Sequence, residues 1–102
     1  MNKLHVLDCT LRDGGYCNEW RFGEQNTKKI VQSLSDAEID VIECGFLTNT
    51  VEYNPDVTKF TDLNQVTQFL PSDRERKKYV VMLNYGEYDV NKIPPREQGM
   101  VK

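Results

Sequence analysis

The feature that most constrains the fold is the alternation, along the chain, of short apolar runs with segments of helical period. The apolar runs cover residues 4–9, 41–46 and 79–83. Each run has the length of a strand, and each is apolar enough to be buried on both faces, as strands of a parallel sheet are. These three runs are therefore predicted to be strands.

Two amphipathic segments separate the predicted strands. Residues 24–37 place apolar side chains on one helical face and polar side chains outside it. The second helix contains Leu63, Val66, Phe69 and Leu70, with Pro71 ending it and Thr61 or Asp62 as its cap. Residues 54–56 are predicted to turn, and residues 93–99, with two prolines, to continue neither a helix nor a central strand.

The resulting order is β-α-β-α-β, which predicts an α/β fold with parallel strands and right-handed crossovers. A flavodoxin-like sheet and the start of a (β/α)8 barrel both begin in this way, and periodicity does not separate them. A complete barrel needs about 250 residues. With 102 residues, the chain is either a small autonomous sheet or a piece of something larger.

Composition and charge argue against several classes of partner. Thirteen Lys and Arg against sixteen Asp and Glu give a net charge of −3 with no long basic stripe, which predicts no nucleic-acid binding. No apolar run reaches the roughly 20 residues of a membrane span, and no signal peptide is evident. Three cysteines without a CxxC pair indicate reduced thiols. We therefore expect a cytoplasmic protein that binds no membrane.

Candidate functional residues lie where the predicted strands end, because function in parallel folds sits at the carboxyl ends of strands. Asp8 and Glu43 are acids inside apolar runs, so each needs a partner. Arg12 is a plausible partner, since it shares a strand face with Asp8 if the extended geometry persists. Asp13 can supply one oxygen ligand to a hard cation. A purely structural ion pair is the alternative for this group.

Other conspicuous residues receive a structural interpretation. The pair Gly14-Gly15 lacks the context of a phosphate-binding loop and is predicted to form a tight turn. His5 is expected to be a core or edge histidine, away from the functional end of its strand. Trp20, with Tyr16, is expected to pack over the core rather than to stack on a substrate.

Two motifs nevertheless resemble a known family. Residues 7–15, Leu-Asp-Cys-Thr-Leu-Arg-Asp-Gly-Gly, resemble the D-x-T-L-R-D-G signature of the HMG-CoA lyase-like (DRE-TIM metallolyase) superfamily. Residues 39–46, Ile-Asp-Val-Ile-Glu-Cys-Gly-Phe, are similar to its second strand, I-D-x-I-E-x-G-F. This superfamily includes 2-isopropylmalate synthase and 4-hydroxy-2-oxovalerate aldolase. The two motifs cover about the first half of the chain.

The resemblance implies that residues 1–102 form a single partial domain, the N-terminal part of a TIM (β/α)8 barrel. It implies a metal-dependent lyase or aldolase that makes or breaks a carbon–carbon bond, through an enolate of a 2-oxo acid or an acyl-CoA. Asp13 would bind the divalent metal, Mg²⁺ or Mn²⁺. Arg12 would neutralise the enolate oxygen, and Glu43 would orient Arg12. Asp8 would be a supporting partner of Arg12.

The chain also departs from the family pattern. The H-x-H pair that completes the metal site is not in the sequence, and Tyr16-Cys17 stands where the aldolase branch has a histidine. Tyr16 is a candidate for a related acid–base or orienting role. We therefore expect the isolated chain to bind metal weakly, to lack turnover, and to self-associate or pair with the remainder of a barrel. The alternative is a non-catalytic truncated module that pairs with another polypeptide.

Overall fold

The computed structural model describes residues 4–72 and 78–93 and has mixed α/β architecture, as the sequence predicts. Two short 3-10 helices accompany the strands and α-helices. The elements, in chain order, are β1 (Leu7–Asp8), a 3-10 helix (Asp13–Cys17), α1 (Glu24–Asp36), β2 (Val41–Leu47), β3 (Lys59–Phe60), α2 (Leu63–Thr67), β4 (Lys78–Met82) and a 3-10 helix (Val90–Lys92). Within these ranges, no helix is long and apolar enough to cross a membrane.

The four strands form one parallel sheet with β2 in the middle. Val41 of β2 pairs with Leu7 of β1 on one edge and with Lys78 of β4 on the other. The short strand β3 pairs with the later half of β2, where Phe46 lies opposite Lys59. A flavodoxin-like sheet would place the first strand between the second and third. The observed order, with the second predicted strand in the middle, excludes that alternative.

The hydrophobic core is built around β2. Six consecutive residues of this strand, from Ile42 to Leu47, are buried, because β2 has hydrogen-bonded neighbours on both edges. Helix α1 packs against β2, and α2 packs against β3. The core side chains are Leu11, Val31, Ile42, Cys44, Leu47, Phe60, Val66, Phe69, Leu70 and Tyr79.

The prediction of a first strand over residues 4–9, buried on both faces, is wrong. Strand β1 has only two residues, and the side chains of Leu4 and Leu7 are 82% and 53% exposed. Within the described residues β1 pairs with β2 alone, so its other edge and its apolar side chains are uncovered. His5 is exposed and lies 3.9 Å from Asp40, so it is an edge residue and not part of the core.

The helices follow the sequence pattern closely at their starts. Helix α1 spans Glu24–Asp36, within one residue of the prediction, and buries Val31. Asp62 caps α2, and its side chain and that of Gln65 form a reciprocal capping box. Helix α2 ends earlier than predicted, at Thr67, and the buried side chains of Phe69 and Leu70 lie in the turn that follows.

The remaining segments of the sequence have different outcomes. The turn at residues 54–56 is confirmed, since the Val57 amide donates to the Asn54 carbonyl at 2.9 Å. Strand β3 was not predicted from the sequence. Residues 94–99 of the predicted proline-containing tail lie outside the described residues.

Candidate functional site

An ion pair between Arg12 and Glu43 joins the first loop to the central strand. Arg12 Nε donates to Glu43 Oε2 at 2.7 Å, and Nη2 donates to Oε1 at 3.4 Å. The side chains are 22% and 9% exposed, respectively. A two-point contact between the planar guanidinium and a carboxylate fixes the orientation of both groups. The structure therefore pairs Arg12 with Glu43, the partner that the family resemblance implied.

The loop that carries Arg12 is held by a tight turn and a buried anchor. The backbone amides of Arg12 and Asp13 donate to the carbonyl of Cys9 at 3.1 and 2.7 Å. Leu11 is fully buried, and its carbonyl accepts a hydrogen bond from the hydroxyl of Thr58 at 2.7 Å. Because this turn ends the extended geometry after β1, the spacing argument that linked Asp8 to Arg12 does not apply.

The side chain of Trp20 also holds the loop that carries Arg12. Its indole Nε1 donates to the Arg12 carbonyl at 2.6 Å, and its ring packs edge-on against Phe46 with centroids 5.6 Å apart. Trp20 has φ of 60°, a left-handed conformation that non-glycine residues adopt at an energetic cost. A Cβ on Gly15 would overlap the indole ring, so this position requires glycine. Trp20 packs against Phe46 as predicted, whereas Tyr16, which was predicted to pack over the core with it, is 69% exposed. The bond of Trp20 to the Arg12 carbonyl was not predicted.

The two aspartates near Arg12 occupy different environments. Asp13 Oδ1 lies 3.6 Å from Arg12 Nη1, and the Asp13 side chain is 63% exposed. Asp8 accepts hydrogen bonds from the backbone amide and the hydroxyl of Thr10, at 2.9 and 3.0 Å. Asp13 thus lies beside the guanidinium, while Asp8 stabilises the turn after β1.

The electrostatics of the site favour a permanently charged guanidinium. The hydrogen bond to Glu43 is the largest contribution that raises the pKa of Arg12; burial opposes it, and the charges of Glu43 and Asp13 reinforce it. A guanidinium has five N–H groups, of which Glu43 takes two. Among the described residues, the other three make no hydrogen bond, and Asp13 Oδ1 lies 3.6 Å from Nη1. Arg12 is therefore a fixed cation with free donors at the end of the first strand.

The described residues supply few ligands for a metal ion. No group of three or more His, Cys, Asp or Glu side chains within residues 4–72 and 78–93 is arranged to hold one. Asp13 offers a single exposed carboxylate, and its neighbour is a cation. This donor set by itself does not fit the several oxygen ligands that Mg²⁺ or Mn²⁺ requires.

Cysteine reactivity gives a direct check of the burial of β2. Desolvation raises the pKa of the Cys44 thiol to about 12, and the charge of Glu43 adds to the effect. Since the thiolate is the reactive form, Cys44 should resist alkylation at pH 8 until the protein unfolds. Cys17 is exposed and should react promptly. Mass-spectrometric mapping of iodoacetamide adducts, with and without denaturant, measures both; rapid labelling of Cys44 in the native state would contradict the structure.

Two charged residues near this site were missed by the sequence analysis. Lys59 and Glu87 line a small cavity together with Trp20. Lys59 lies on β3, which has only two residues and gave no periodic signal, and Glu87 lies in the loop after β4. Their proximity depends on the pairing of β3 and β4 with β2, which no local pattern reveals.

Comparison with known proteins gives one partial match. A segment of 40 residues is 42% identical to a 4-hydroxy-2-oxovalerate aldolase from Geobacillus genomosp. 3. The segment covers 39% of this chain and 12% of the relative. No family model matches the chain, and no solved structure matches it significantly. The chain is thus similar, over a short segment, to an aldolase.

Proposed function

We propose that this chain forms part of a metal-dependent carbon–carbon lyase or aldolase of the HMG-CoA lyase-like type, acting on a 2-oxo acid or an acyl-CoA. The observation that carries the proposal is the Arg12–Glu43 pair, which fixes the guanidinium in the loop after β1 and leaves three of its N–H groups without a hydrogen bond among the described residues. The partial identity to an aldolase supports the same reaction class.

The chemistry assigned to Arg12 is stabilisation of an oxyanion. When a bond next to a carbonyl breaks, its electron pair moves towards the carbonyl oxygen, and an enolate forms. The enolate then takes up a proton at carbon. Positioned donors that face the developing negative charge lower the barrier, and removal of one such donor typically costs about a hundredfold in rate. Arg12 suits this role because Glu43 holds its plane fixed and its charge permanent.

The order of the strands is compatible with the start of a (β/α)8 barrel. The first, second and third predicted strands lie side by side and parallel, as successive barrel strands do. In a barrel, functional residues come from the ends of several strands. We therefore propose that residues 1–102 are the N-terminal segment of such a barrel. We also propose that the protein is cytoplasmic.

The metal is a separate part of the proposal. Asp13 would contribute one oxygen ligand to Mg²⁺ or Mn²⁺, which would polarise the substrate carbonyl when bound. Since the described residues do not complete a metal site, the other ligands would have to come from elsewhere. The roles of Arg12 and Glu43 follow from their own geometry and are independent of the metal.

Proton exchange tests the proposed function without knowledge of the full substrate. The protein, as its gene encodes it, is incubated with pyruvate in D₂O with Mg²⁺ or Mn²⁺, and NMR measures loss of the methyl proton signal. Enolate stabilisation predicts exchange in the native protein and a decrease of about a hundredfold in Arg12→Lys, because lysine lacks the planar donor array. Acetyl-CoA replaces pyruvate in a parallel series.

A matched variant distinguishes this role from general loss of charge. Arg21→Lys changes an exposed arginine of the same loop and should leave exchange unchanged. Absence of exchange by the folded native protein, with either substrate and either metal, would refute the proposed function. Equal effects of the two substitutions would remove Arg12 from the mechanism.

A second candidate function has its own support in the exposed edge of β1. Leu4, Val6 and Leu7 are exposed large apolar residues beside a strand edge that nothing covers among the described residues. Such an edge favours pairing with another chain. A non-catalytic module of this kind would associate with itself or with a partner polypeptide, which light scattering after gel filtration would detect, and it would not catalyse exchange.

A further inference from the structure

Trp20, whose indole donates to the Arg12 carbonyl, also lines a small cavity. The cavity has a volume of about 90 Å³ and is situated where β2 and β4 end and β3 begins. One water molecule needs only about 15 Å³ of such space, so the cavity has room for a small organic group. Its polar and aromatic wall includes Trp20, Thr48, Thr50, Lys59, Asn84 and Glu87.

Lys59 supplies the positive charge of the cavity wall. Its Nζ lies 4.2 Å from the centre of the Trp20 ring, which holds the ammonium group by a cation–π contact. Within the part of the chain that the structure describes, no carboxylate oxygen lies within 4.0 Å of Nζ. An anion entering the cavity would therefore find an available positive charge.

Glu87 supplies the opposite charge from another wall. Its Oε1 lies 3.3 and 3.5 Å from the hydroxyls of Thr48 and Thr50, which hydrogen-bond each other at 2.7 Å, so one of the two hydroxyls donates to the carboxylate. The Glu87 carbonyl also accepts from the Asn49 amide at 2.8 Å, which ties the loop after β4 to the loop after β2. The carboxylate is thus held in place, yet it does not pair with Lys59.

We propose that this cavity binds a small hydroxycarboxylate, with the carboxylate of the ligand at Lys59 and its hydroxyl at Glu87. A simple anion would gain the attraction of Lys59 but suffer the repulsion of Glu87. A ligand that also carries a hydroxyl donates a hydrogen bond to Glu87, which offsets part of this repulsion. Binding here requires neither Arg12 nor a metal, so the inference stands or fails separately from the proposed reaction.

The single tryptophan of the sequence provides the measurement. Its indole N–H gives one resonance in an NMR spectrum of the ¹⁵N-labelled protein, and the ring forms part of the cavity wall. Titration with glycolate should shift this resonance and the amide resonances of Thr48 and Thr50, with a dissociation constant in the millimolar range. Acetate, which lacks the hydroxyl, and glycolamide, which lacks the charge, should each bind about tenfold more weakly.

Charge variants test the roles of Lys59 and Glu87 in binding. Lys59→Gln should weaken glycolate binding about tenfold, whereas Lys59→Arg, which keeps the charge, should retain most of it. Lys92→Gln removes an exposed lysine of the second 3-10 helix and serves as the matched control. Glu87→Gln should strengthen the binding of both anions, because it removes a repulsion that acts on both, and should reduce the preference for glycolate, because a neutral amide oxygen accepts the ligand hydroxyl more weakly than a carboxylate does.

Two results would overturn the proposal. One is the absence of any shift of the Trp20 indole resonance in the folded native protein at high glycolate concentration. The other is equal weakening by Lys59→Gln and Lys92→Gln, which would show that the anion responds to net charge and not to the cavity. Circular dichroism of each variant establishes that it is folded before titration.

Discussion

Replacing Gly45 by alanine should destabilise the protein by about 4 kcal/mol, as the sum of a steric and a conformational cost. Gly45 has φ of 145°, in the region that side chains avoid, and a Cβ there would overlap the carbonyl oxygen of Thr58. That oxygen accepts the amide of Phe46 at 3.0 Å, so the overlap would push β3 away from β2. Urea denaturation monitored by circular dichroism measures the loss.

Two other glycines separate the steric cost from the conformational one. Gly86 has φ of 83° but no atom within 4 Å of an added Cβ, so Gly86→Ala should cost about 1 kcal/mol from strain alone. An added Cβ on Gly14 would make an ordinary contact with Thr10 at 3.7 Å, and Gly14→Ala should be nearly neutral. If Gly45→Ala and Gly86→Ala were equally destabilising, the close approach of Thr58 would be wrong.

Arg12→Met should destabilise the protein by about 3 kcal/mol, because it leaves the carboxylate of Glu43 buried without a partner. The residue Glu43 as a whole is only 7% exposed, whereas about a fifth of the Arg12 side chain is exposed to solvent. The expected loss of stability therefore lies at the lower end of the range for broken buried ion pairs. Methionine retains most of the apolar stem, so the loss reports mainly on the charge. Denaturant unfolding at pH 7 is the measurement.

A double-mutant cycle assigns this cost to the pair. Combining Arg12→Met with Glu43→Gln removes the uncompensated charge, so the double variant should be more stable than Arg12→Met alone. Lys28→Met is the control, because Lys28 and Glu24 form an exposed pair on α1 with 3.8 Å between their charged atoms. Its cost should stay below about 0.5 kcal/mol. Additive effects of Arg12→Met and Glu43→Gln would contradict the pairing.

The two predictions concern different parts of one motif. Glu43 and Gly45 stand two residues apart in β2, and the motif that the sequence analysis singled out contains both. The carboxylate holds Arg12, while the glycine lets β3 approach at Thr58. Loss of the glycine is therefore expected to affect stability, and loss of the carboxylate is expected to affect both stability and the orientation of Arg12.

Local patterns in the sequence were sufficient where short-range interactions decide the structure. The period of α1 and the cap of α2 at Asp62 depend on neighbouring residues, and both were predictable. The amide of Glu24 at the start of α1, by contrast, donates to the distant carboxylate of Asp56 at 2.9 Å. The length of β1 was not predictable, because a strand's burial depends on what covers its two edges. Strand β3 was missed because two residues carry no period.

The candidate site divides in the same way. The sequence indicates three candidate site residues by their place at predicted strand ends and by the family resemblance. These are Arg12, Asp13 and Glu43. The resemblance implied Glu43 as the partner of Arg12, whereas strand spacing alone favoured Asp8, and the structure shows why spacing fails: the turn at Cys9 redirects the chain. The proximity of Lys59 to Glu87 also required the pairing of three strands.

Periodicity, capping and residue type act over a few positions, so the α/β class, the order of the main elements and the residues able to carry charge-based chemistry are already readable in the amino-acid sequence. The central place of β2 in the sheet, the bond of Trp20 to the Arg12 carbonyl and the position of Lys59 at a cavity become visible in the folded chain. These features join residues far apart in the chain, and contacts between distant residues are selected by the packing of the whole core.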